Sequence, residues 1–260
     1  MDFDEIMINF AKWLESGWYT PTGECFDVGG TCLRAIRNFV DTCYSQEAGF
    51  VMPPDFDVGD CGQDGEYANG NGSLMRIHPF VLYASTVLLR AGGEDYWLWM
   101  GCIKQASKLT HAHARAVMGC YIYGYCLTFL LKNPTKDSLR AGLDFAGKDL
   151  DYLSEFEHYE RIFQPDFDQL AADDIKSTGY VVDTLEAALW CLLTTDSYRD
   201  CVLKAVNLGD DTDTVAAVAG GLAGALYGYE GIPVEWKDTL IKREYIEAMC
   251  DKAAESWHKS

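Results

Sequence analysis

Basic residues are scarce in this chain of 260 residues. Its 21 lysines and arginines face 40 aspartates and glutamates, which gives a formal net charge of −19 at pH 7. Nucleic acids and anionic membrane surfaces repel so acidic a protein, so neither is an expected partner. The first residues also lack a basic segment and instead carry Asp2, Asp4 and Glu5. A secretory signal peptide is therefore not predicted.

Closely spaced cysteine pairs are also missing. The 10 cysteines lie at irregular intervals, and none forms a Cys-x-x-Cys pair. This spacing predicts neither a structural zinc site nor a disulfide framework. We therefore expect reduced thiols and a cytoplasmic protein.

A hydrophobic run long enough to span a membrane is missing as well. The candidate is the stretch 116–131, which Arg115 and Lys132 bound. A membrane helix needs about 20 apolar residues, and this stretch is shorter. It predicts a buried core helix instead.

Alternating apolar and polar residues, the pattern of a half-buried strand, do not compete with helical spacing in this sequence. Apolar residues recur at helical intervals, as at Phe3, Met7, Phe10 and Leu14. Predicted helices span roughly residues 3–14, 31–44, 73–91, 94–108, 111–131, 136–147, 149–160, 181–195, 197–206, 213–228 and 234–256. No repeat or linker divides the sequence, so we predict one all-α domain over residues 1–260.

The stretch 207–228 has an acidic head and an apolar tail that contains glycines. We call residues 210–214 the acidic head; it consists of aspartates and threonines alone. In the tail, Gly220, Gly224 and Gly228 share one face of a helix, and each interior glycine costs about 1 kcal/mol relative to alanine. The spacing predicts a buried helix that another backbone approaches closely at these three glycines.

The acidic head combines only hard oxygen ligands. Asp211 and Asp213 would diverge by about 200° on a regular helix, so they converge only if the helix begins among them. Thr214 can then add a hydroxyl, and the set suits Mg²⁺, Mn²⁺ or Ca²⁺ better than Zn²⁺. The alternative is an N-cap with an acidic first turn, which the helix dipole also favours.

A glycine-rich segment, Asn69-Gly-Asn-Gly-Ser73, precedes a predicted helix near Leu74. We call residues 69–73 the glycine loop. Successive N–H groups in such a loop can point at one spot, and a helix N-terminus adds a positive dipole, which together make a phosphate cradle. The alternative is an ordinary glycine turn in which Ser73 caps the helix.

Two further loops lead into predicted helices. Thr110-His-Ala-His113 precedes the long apolar helix, and only one of His111 and His113 can face inward. A histidine at a helix start is more often a structural hydrogen-bonding group than a catalyst. Ser177-Thr-Gly-Tyr180 precedes another helix, where Tyr180 can either stack on a purine or pack in the core.

Four stretches, taken in order, resemble one protein family. They are Tyr19-Thr-Pro-Thr-Gly-Glu-Cys-Phe-Asp-Val-Gly-Gly30, Asn69-Gly-Asn-Gly-Ser-Leu-Met-Arg76, Ser177-Thr-Gly-Tyr-Val-Val-Asp-Thr-Leu-Glu-Ala-Ala-Leu-Trp190 and Gly209-Asp-Asp-Thr-Asp-Thr-Val-Ala-Ala-Val-Ala-Gly-Gly-Leu-Ala-Gly-Ala-Leu-Tyr-Gly228. They are similar to the ADP-ribosylglycohydrolases of the dinitrogenase-reductase-activating glycohydrolase type. The matches extend over nearly the whole chain.

The resemblance implies an all-α orthogonal helical bundle with two divalent cations, Mg²⁺ or Mn²⁺, beside a cleft for ADP-ribose. It implies hydrolysis of the glycosidic bond at C1″ of an ADP-ribosyl group on a protein or a small molecule. By motif match, Asp211 and Asp213 are the expected catalytic residues, and both are expected metal ligands together with Thr214. The expected substrate-binding residues are Asn69, Gly70, Asn71, Gly72, Ser73, His111, Gly179 and Tyr180. His113 is expected to face solvent.

The sequence departs from the family at its beginning. The family opens with a Gly-Asp-Ala-hydrophobic-Gly segment and a Thr-Asp-Asp-Thr run, and neither has a counterpart here. The pair Asp173-Asp174 does not match the second of these, because it follows an alanine in an unrelated context. We therefore expect an N-terminally shortened bundle, one incomplete metal position, slow hydrolysis and a homo-oligomer formed through the surface left exposed. The alternative function is an ADP-ribose-binding or partner-binding relative with weakened catalysis.

Overall fold

The computed structural model describes residues 1–88, 95–151 and 153–259, and it is mainly helical. Its α-helices are α1 (Phe3–Ser16), α2 (Gly30–Cys43), α3 (His78–Tyr83), α4 (Tyr96–Lys108), α5 (Ala114–Lys132), α6 (Lys136–Asp149), α7 (Val181–Leu193), α8 (Tyr198–Val206), α9 (Thr212–Tyr227), α10 (Val234–Thr239) and α11 (Arg243–Lys259). Strands β1 (Tyr44–Ser45) and β2 (Gly49–Phe50) form a short antiparallel hairpin. The predicted all-α class is confirmed.

Two predicted helices are interrupted by residues with left-handed backbone. Helix α6 ends at Asp149, Glu155 has a φ of 77°, and a 3₁₀ helix then spans Phe156–Phe163, so the predicted α-helix over 149–160 is wrong. Lys242 has a φ of 60° and separates α10 from α11. An α-helix does not continue through a left-handed residue, and the spacing of apolar residues does not reveal one.

The predicted helix over 73–91 is divided as well. It consists of a 3₁₀ turn at Leu74–Arg76, then α3, then a π-helical turn at Ala84–Leu88. A proline lies in the first turn of α3, where its missing N–H costs no helical hydrogen bond. Residues 89–91, and residue 94 of the next predicted helix, lie outside the described residues.

Helix α5 is the centre of the larger hydrophobic core. It packs against α4, α6, α7 and α9. By length and composition α5 could cross a membrane, but 83% of its most apolar window is buried inside the protein. The prediction of a buried core helix is confirmed. A smaller core joins α1 and α2 through residues such as Met7, Ile36 and Phe39.

Helix α9 approaches its neighbours most closely at Gly221. A Cβ atom on Gly221 would lie 2.5 Å from Tyr123 Oη and 2.9 Å from His78 Nδ1. On Gly224 and Gly228, a Cβ atom would meet no heavy atom of the described chain within 4 Å. The predicted close approach is therefore wrong for Gly224 and Gly228. The face of α9 that carries Gly221 is the one turned toward the core.

Candidate functional site

Three loop segments that are distant in sequence meet at one place. Asn71 N, in the glycine loop, donates to Gly179 O at 3.0 Å. Asp211 N, in the acidic head, donates to Ser177 O at 3.0 Å. The segment 177–181 therefore lies between the glycine loop and the acidic head and fixes one against the other.

Asn71 also connects the two directly. Its Nδ2 donates to Asp211 Oδ2 at 2.7 Å and to Thr184 Oγ1 at 2.8 Å. Thr184 Oγ1 in turn donates to Thr178 O at 3.0 Å. Because Asn71 is buried, these bonds hold the Asp211 carboxylate in one orientation. Sequence reasoning missed Thr184, since nothing near it in the chain distinguishes it from an ordinary helical threonine.

Helix α9 begins within the acidic head, which both the metal interpretation and the capping interpretation require. Helix α9 begins at Thr212, so Asp211 precedes the helix and Asp213 lies in its first turn. Burial raises the pKa of Asp211, but hydrogen bonds from Asn71, Thr214 and the carboxyl group of Asp213 outweigh burial and lower it. The two carboxyl groups therefore adjoin, and Asp211 is ionised at neutral pH.

The oxygen atoms of the acidic head fit a small divalent cation. Two adjoining carboxyl groups and the Thr214 hydroxyl are ligand types that Mg²⁺ and Mn²⁺ prefer. Carboxyl groups this close need a shared proton or a cation between them, and the hydrogen bond from the Asp213 carboxyl to Asp211 is the shared-proton form. Over residues 1–88, 95–151 and 153–259, no group of three His, Cys, Asp or Glu residues could hold a metal. The head is a partial ligand set, and Asp173 and Asp174 lie exposed on a separate 3₁₀ turn.

The glycine loop packs directly on two side chains. A Cβ atom on Gly72 would lie 2.9 Å from His111 Cε1 and 2.8 Å from Cys32 Sγ, closer than real Cβ atoms come. Only glycine fits there without displacing a neighbour. Ser73 is fully buried, and its side chain makes no capping hydrogen bond, so the capping alternative is wrong.

His111 lies buried against the glycine loop. Its Nδ1 is 2.7 Å from Thr110 Oγ1, and its Nε2 faces Gly70. Burial, assisted by Arg76 and Arg34, lowers the pKa of His111 to about 3. The imidazole is therefore neutral and can make one hydrogen bond at Nε2 without adding charge. Its contact with a ligand stays a prediction.

His113 does not face solvent, contrary to our expectation. Its Nδ1 accepts a hydrogen bond from Arg115 N at 3.2 Å and thereby caps α5. Its Nε2 lies 3.5 Å from Glu66 Oε2, and the side chain is only 14% exposed. The predicted helix began at residue 111. In the structure α5 begins at Ala114, so His113 is the residue that caps it.

Arg76 is a candidate that the sequence analysis did not single out. Its Nη1 donates to Gly72 O at 2.8 Å and its Nη2 to Ala106 O at 2.9 Å. Its Nε is buried without a hydrogen-bond partner. Burial lowers the pKa of Arg76, and within the described chain the groups that raise it are the thiols of Cys32 and Cys120, with no carboxylate among them. A cation beside the glycine loop with no acidic partner favours an anionic ligand there. Arg76 is the last residue of the stretch 69–76 that resembles the family, and this position could have identified it as a site residue.

A cleft of about 390 Å³ opens beside the glycine loop. It is lined by Glu66, Tyr67, Asn69, Gly70, Arg115, Gly179 and Tyr180. No residue of the acidic head is among the lining residues, but Gly179 adjoins the head, since a Cβ atom on Gly179 would lie 3.3 Å from Asp211 Oδ2. Burial raises the pKa of Tyr180, and Arg115 offsets only part of that rise, so the phenol is neutral. The structure thus brings four predicted substrate-binding residues to one cleft.

The chain is similar to known proteins in sequence and in structure. A sequence model of the ADP-ribosylglycohydrolase family matches residues 2–260. The chain is 29% identical over 252 residues to the ADP-ribosylarginine hydrolase Tri1 of Serratia proteamaculans, in a match that covers 93% of this chain and 58% of that protein. It is 30% identical over 247 residues to the ADP-ribosyl-[dinitrogen reductase] glycohydrolase of Rhodospirillum rubrum, covering 94% and 69% respectively.

A solved structure shares the fold. A chain of an ADP-ribosylglycohydrolase-related protein complex aligns with a TM-score of 0.70 at 28% identity. The alignment covers 95% of this chain and 71% of the other. This chain therefore spans part of the length of the relatives it matches, and little more than half of the Serratia protein.

Proposed function

Because the chain belongs to the ADP-ribosylglycohydrolase family, we propose that it hydrolyses the glycosidic bond at C1″ of an ADP-ribosyl group with the help of a divalent cation. The observation that carries this proposal is the 2.7 Å hydrogen bond from Asn71 to Asp211, which places the glycine loop beside the acidic head. An anion-binding loop next to paired carboxylates suits a ligand in which a diphosphate is followed by a ribose.

The diphosphate would bind at the glycine loop. Gly70 has no side chain, and a Cβ atom there would meet nothing of the described chain closer than 3.6 Å, so a ligand can approach its backbone closely. Arg76 contributes a positive charge, and no acidic side chain of the described residues forms an ion pair with it. The neutral His111 can add a hydrogen bond from Nε2. This half of the site binds and orients, and it moves no proton.

The distal ribose would lie at the acidic head. Asp211, which Asn71 holds in place, orients the attacking water, and Asp213 accepts a proton from it. The water oxygen bonds to C1″ while the bond from C1″ to the acceptor atom breaks. The proton then passes to the departing acceptor, so that ADP-ribose and the unmodified acceptor are the products.

Asp211, Asp213 and Thr214 would hold Mg²⁺ or Mn²⁺. When bound, the cation polarises the ribose hydroxyls and lowers the pKa of the attacking water. Three protein ligands leave several coordination positions to water, so we expect weak affinity for the cation.

The relatives' names point to an N-glycosidic linkage. One is an ADP-ribosylarginine hydrolase and another acts on ADP-ribosylated dinitrogen reductase. We therefore propose ADP-ribosylarginine, free or in a protein, as the first substrate to test, with a serine-linked ADP-ribosyl peptide for comparison.

A second function, ADP-ribose binding with little hydrolysis, is supported by one observation. The acidic head has two adjoining carboxyl groups, and the described chain adds no third acidic, cysteine or histidine ligand to them. Binding needs the glycine loop, whereas hydrolysis also needs the head.

The deciding experiment measures hydrolysis and binding on the same proteins. Release of ADP-ribose is followed with Mg²⁺, with Mn²⁺ and with a chelator, for the wild type, Asp213→Asn and the control Asp173→Asn. We expect the wild type to release ADP-ribose only when the cation is present. Asp213→Asn should lower the rate of release about a hundredfold or more, and the control Asp173→Asn should keep the wild-type rate. Binding of ADP-ribose without release would support the second function. If the protein neither binds nor hydrolyses, both are wrong.

A further inference from the structure

The side chain of Arg115 connects three segments around the cleft. Arg115 lies in the first turn of α5, and its side chain is only 10% exposed. Its Nη1 is 3.0 Å from Glu66 Oε1, and its Nε and Nη2 both lie 2.8 Å from Glu155 Oε2. Its guanidinium carbon is 6.0 Å from the centroid of the Tyr180 ring, within range of a cation–π contact.

The two carboxylates that hold Arg115 are not equivalent. The side chain of Glu155 is 21% exposed, whereas that of Glu66 is 62% exposed. Exposed ion pairs contribute little, because water and salt screen them. Glu155, which accepts from two guanidinium nitrogens in a drier setting, is therefore the residue that fixes the guanidinium.

Glu155 keeps this position against its own backbone preference. Its φ of 77° and ψ of −4° lie in the left-handed region, which is unfavourable for a residue other than glycine. The surroundings hold it there, since His158 Nε2 lies 3.4 Å from Glu155 Oε2 and buried Tyr159 donates to Arg115 O at 2.8 Å. A glycine would adopt this backbone conformation without strain. It could not, however, make the ion pair with Arg115, which lines the cleft, so the charged side chain of Glu155 is the reason for the strained residue.

We propose that Glu155 and Arg115 are positioning residues for the ADP-ribosyl ligand, an inference that rests on the proposed function. Glu155 fixes Arg115, and Arg115 fixes Tyr180 and Glu66 at the mouth of the cleft. Tyr180 follows Gly179, which adjoins Asp211, so the Tyr180 position is also linked to the acidic head. Loss of the Glu155 carboxylate should therefore weaken ligand binding through Tyr180, although Glu155 itself does not line the cleft.

The test is a double-mutant cycle on the dissociation constant of ADP-ribose, measured by calorimetry. The variants are Glu155→Gln, Tyr180→Leu and their combination, and Glu157→Gln on the same 3₁₀ helix is the exposed control. We expect Glu155→Gln to raise the dissociation constant about fivefold in the wild-type background. In the Tyr180→Leu background the same change should raise it less than about twofold, because the effects of coupled residues are not additive. The control should bind as the wild type does.

A second variant separates positioning from stability. Glu155→Gly and Glu155→Gln both lose the ion pair with Arg115, but only glycine relieves the backbone strain, so Glu155→Gly should unfold at the same temperature as Glu155→Gln or higher and bind ADP-ribose as weakly. Arg115→Lys keeps the charge but loses the planar fork, and it should weaken binding similarly.

The outcomes distinguish this inference from the function it rests on. If the wild type binds ADP-ribose and both Glu155 variants fold and bind it as tightly as the wild type does, Glu155 only fastens a loop and the inference is wrong. Independent effects of Glu155→Gln and Tyr180→Leu would overturn it as well. If the wild type binds no ADP-ribose, the proposed function fails, and the positioning role fails with it.

Discussion

The glycine loop and the acidic head lie side by side, but the protein surrounds them to different extents. Asn69, Asn71 and Ser73 of the loop are buried, and Gly72 fits between His111 and Cys32 with no room for a side chain. In the head, Asp210 and Asp213 are exposed and only Thr214 is buried. One half of the site is therefore fixed by packing before any ligand arrives, whereas the other depends on charges near solvent.

This difference bears on which step each half can control. A packed loop loses little conformational entropy when a ligand binds, so it suits recognition. In the head, Asn71 holds the half-buried Asp211, but the exposed Asp213 needs a cation or a proton between it and Asp211 before the pair becomes rigid. Changes in the loop should therefore alter stability and binding together, whereas changes in the head should alter the response to cations and leave the fold intact.

The largest effect should come from Gly72→Val. A side chain there would overlap His111 and Cys32, and overpacking of this kind costs about 3 kcal/mol or more in unfolding free energy. Denaturant unfolding measures the loss. ADP-ribose should stabilise the wild type far more than adenosine does, because the loop recognises the diphosphate, and the variant should show neither response.

Gly65→Val is the matched control for that experiment. A Cβ atom on Gly65 would meet no heavy atom of the described chain within 4 Å, so this variant should unfold and bind like the wild type. Equal losses in both variants would mean that packing against His111 has no special role.

Asn71→Leu should have the next largest effect, because it removes the contact between the two halves. It leaves the Asp211 carboxylate and the Thr184 hydroxyl without their donor, which costs about 2 kcal/mol in unfolding free energy at pH 7. Asn38→Leu, at an exposed position on α2, is the control.

The same variant has a defined pH dependence. Asn71 helps to lower the pKa of Asp211 in the folded protein, so its contribution is fully present above the usual aspartate pKa of 3.8 and is lost as the pH falls through the lower folded value. The difference in unfolding free energy between wild type and Asn71→Leu should therefore shrink from pH 7 to pH 3. A difference that stays constant over this range would show that the ionised form of Asp211 is not what Asn71 stabilises.

A smaller effect is expected when Mg²⁺ or Mn²⁺ is added. At a cation concentration of ten times the dissociation constant, the wild type should gain about 1.4 kcal/mol, which thermal unfolding detects. The double variant Asp211→Asn/Asp213→Asn should gain nothing, whereas Asp173→Asn/Asp174→Asn should respond fully. If all three respond alike, the acidic head is only the first turn of a helix.

The sequence was sufficient where neighbours along the chain determine the structure. Helical spacing located α1, α2, α5 and α9, and the predicted start of α9 at residue 213 differs by one residue from the observed start at Thr212. Each of these features depends on contacts within a few turns of one helix. The glycine loop and the acidic head were likewise identified from their own composition.

The remaining features depend on contacts or backbone angles that no short stretch encodes. Asn71 and Asp211 are 140 residues apart, so their hydrogen bond could not be derived from spacing. The side of α9 that faces the core, with Gly221 rather than Gly224, depends on where Tyr123 lies. The left-handed backbone of Glu155 occurs where its side chain pairs with Arg115, which is 40 residues away in the chain, so the spacing of nearby residues could not reveal the break in the helix predicted over 149–160.

The smallest effect should come from Ser73→Ala, and it sharpens the distinction between backbone and side-chain recognition in the loop. Ser73 is fully buried, and its Oγ accepts a weak hydrogen bond from Cys120 Sγ at 3.7 Å. Removing the hydroxyl should cost less than about 1 kcal/mol in unfolding free energy, since no strong partner is left unsatisfied. ADP-ribose should bind the variant within about twofold of the wild type, because a buried hydroxyl cannot reach the ligand and the loop acts through its backbone. Calorimetric titration of ADP-ribose measures this directly. A tenfold loss of affinity with unchanged stability would instead place the Ser73 hydroxyl in contact with the diphosphate, and the loop would have to open when the ligand binds.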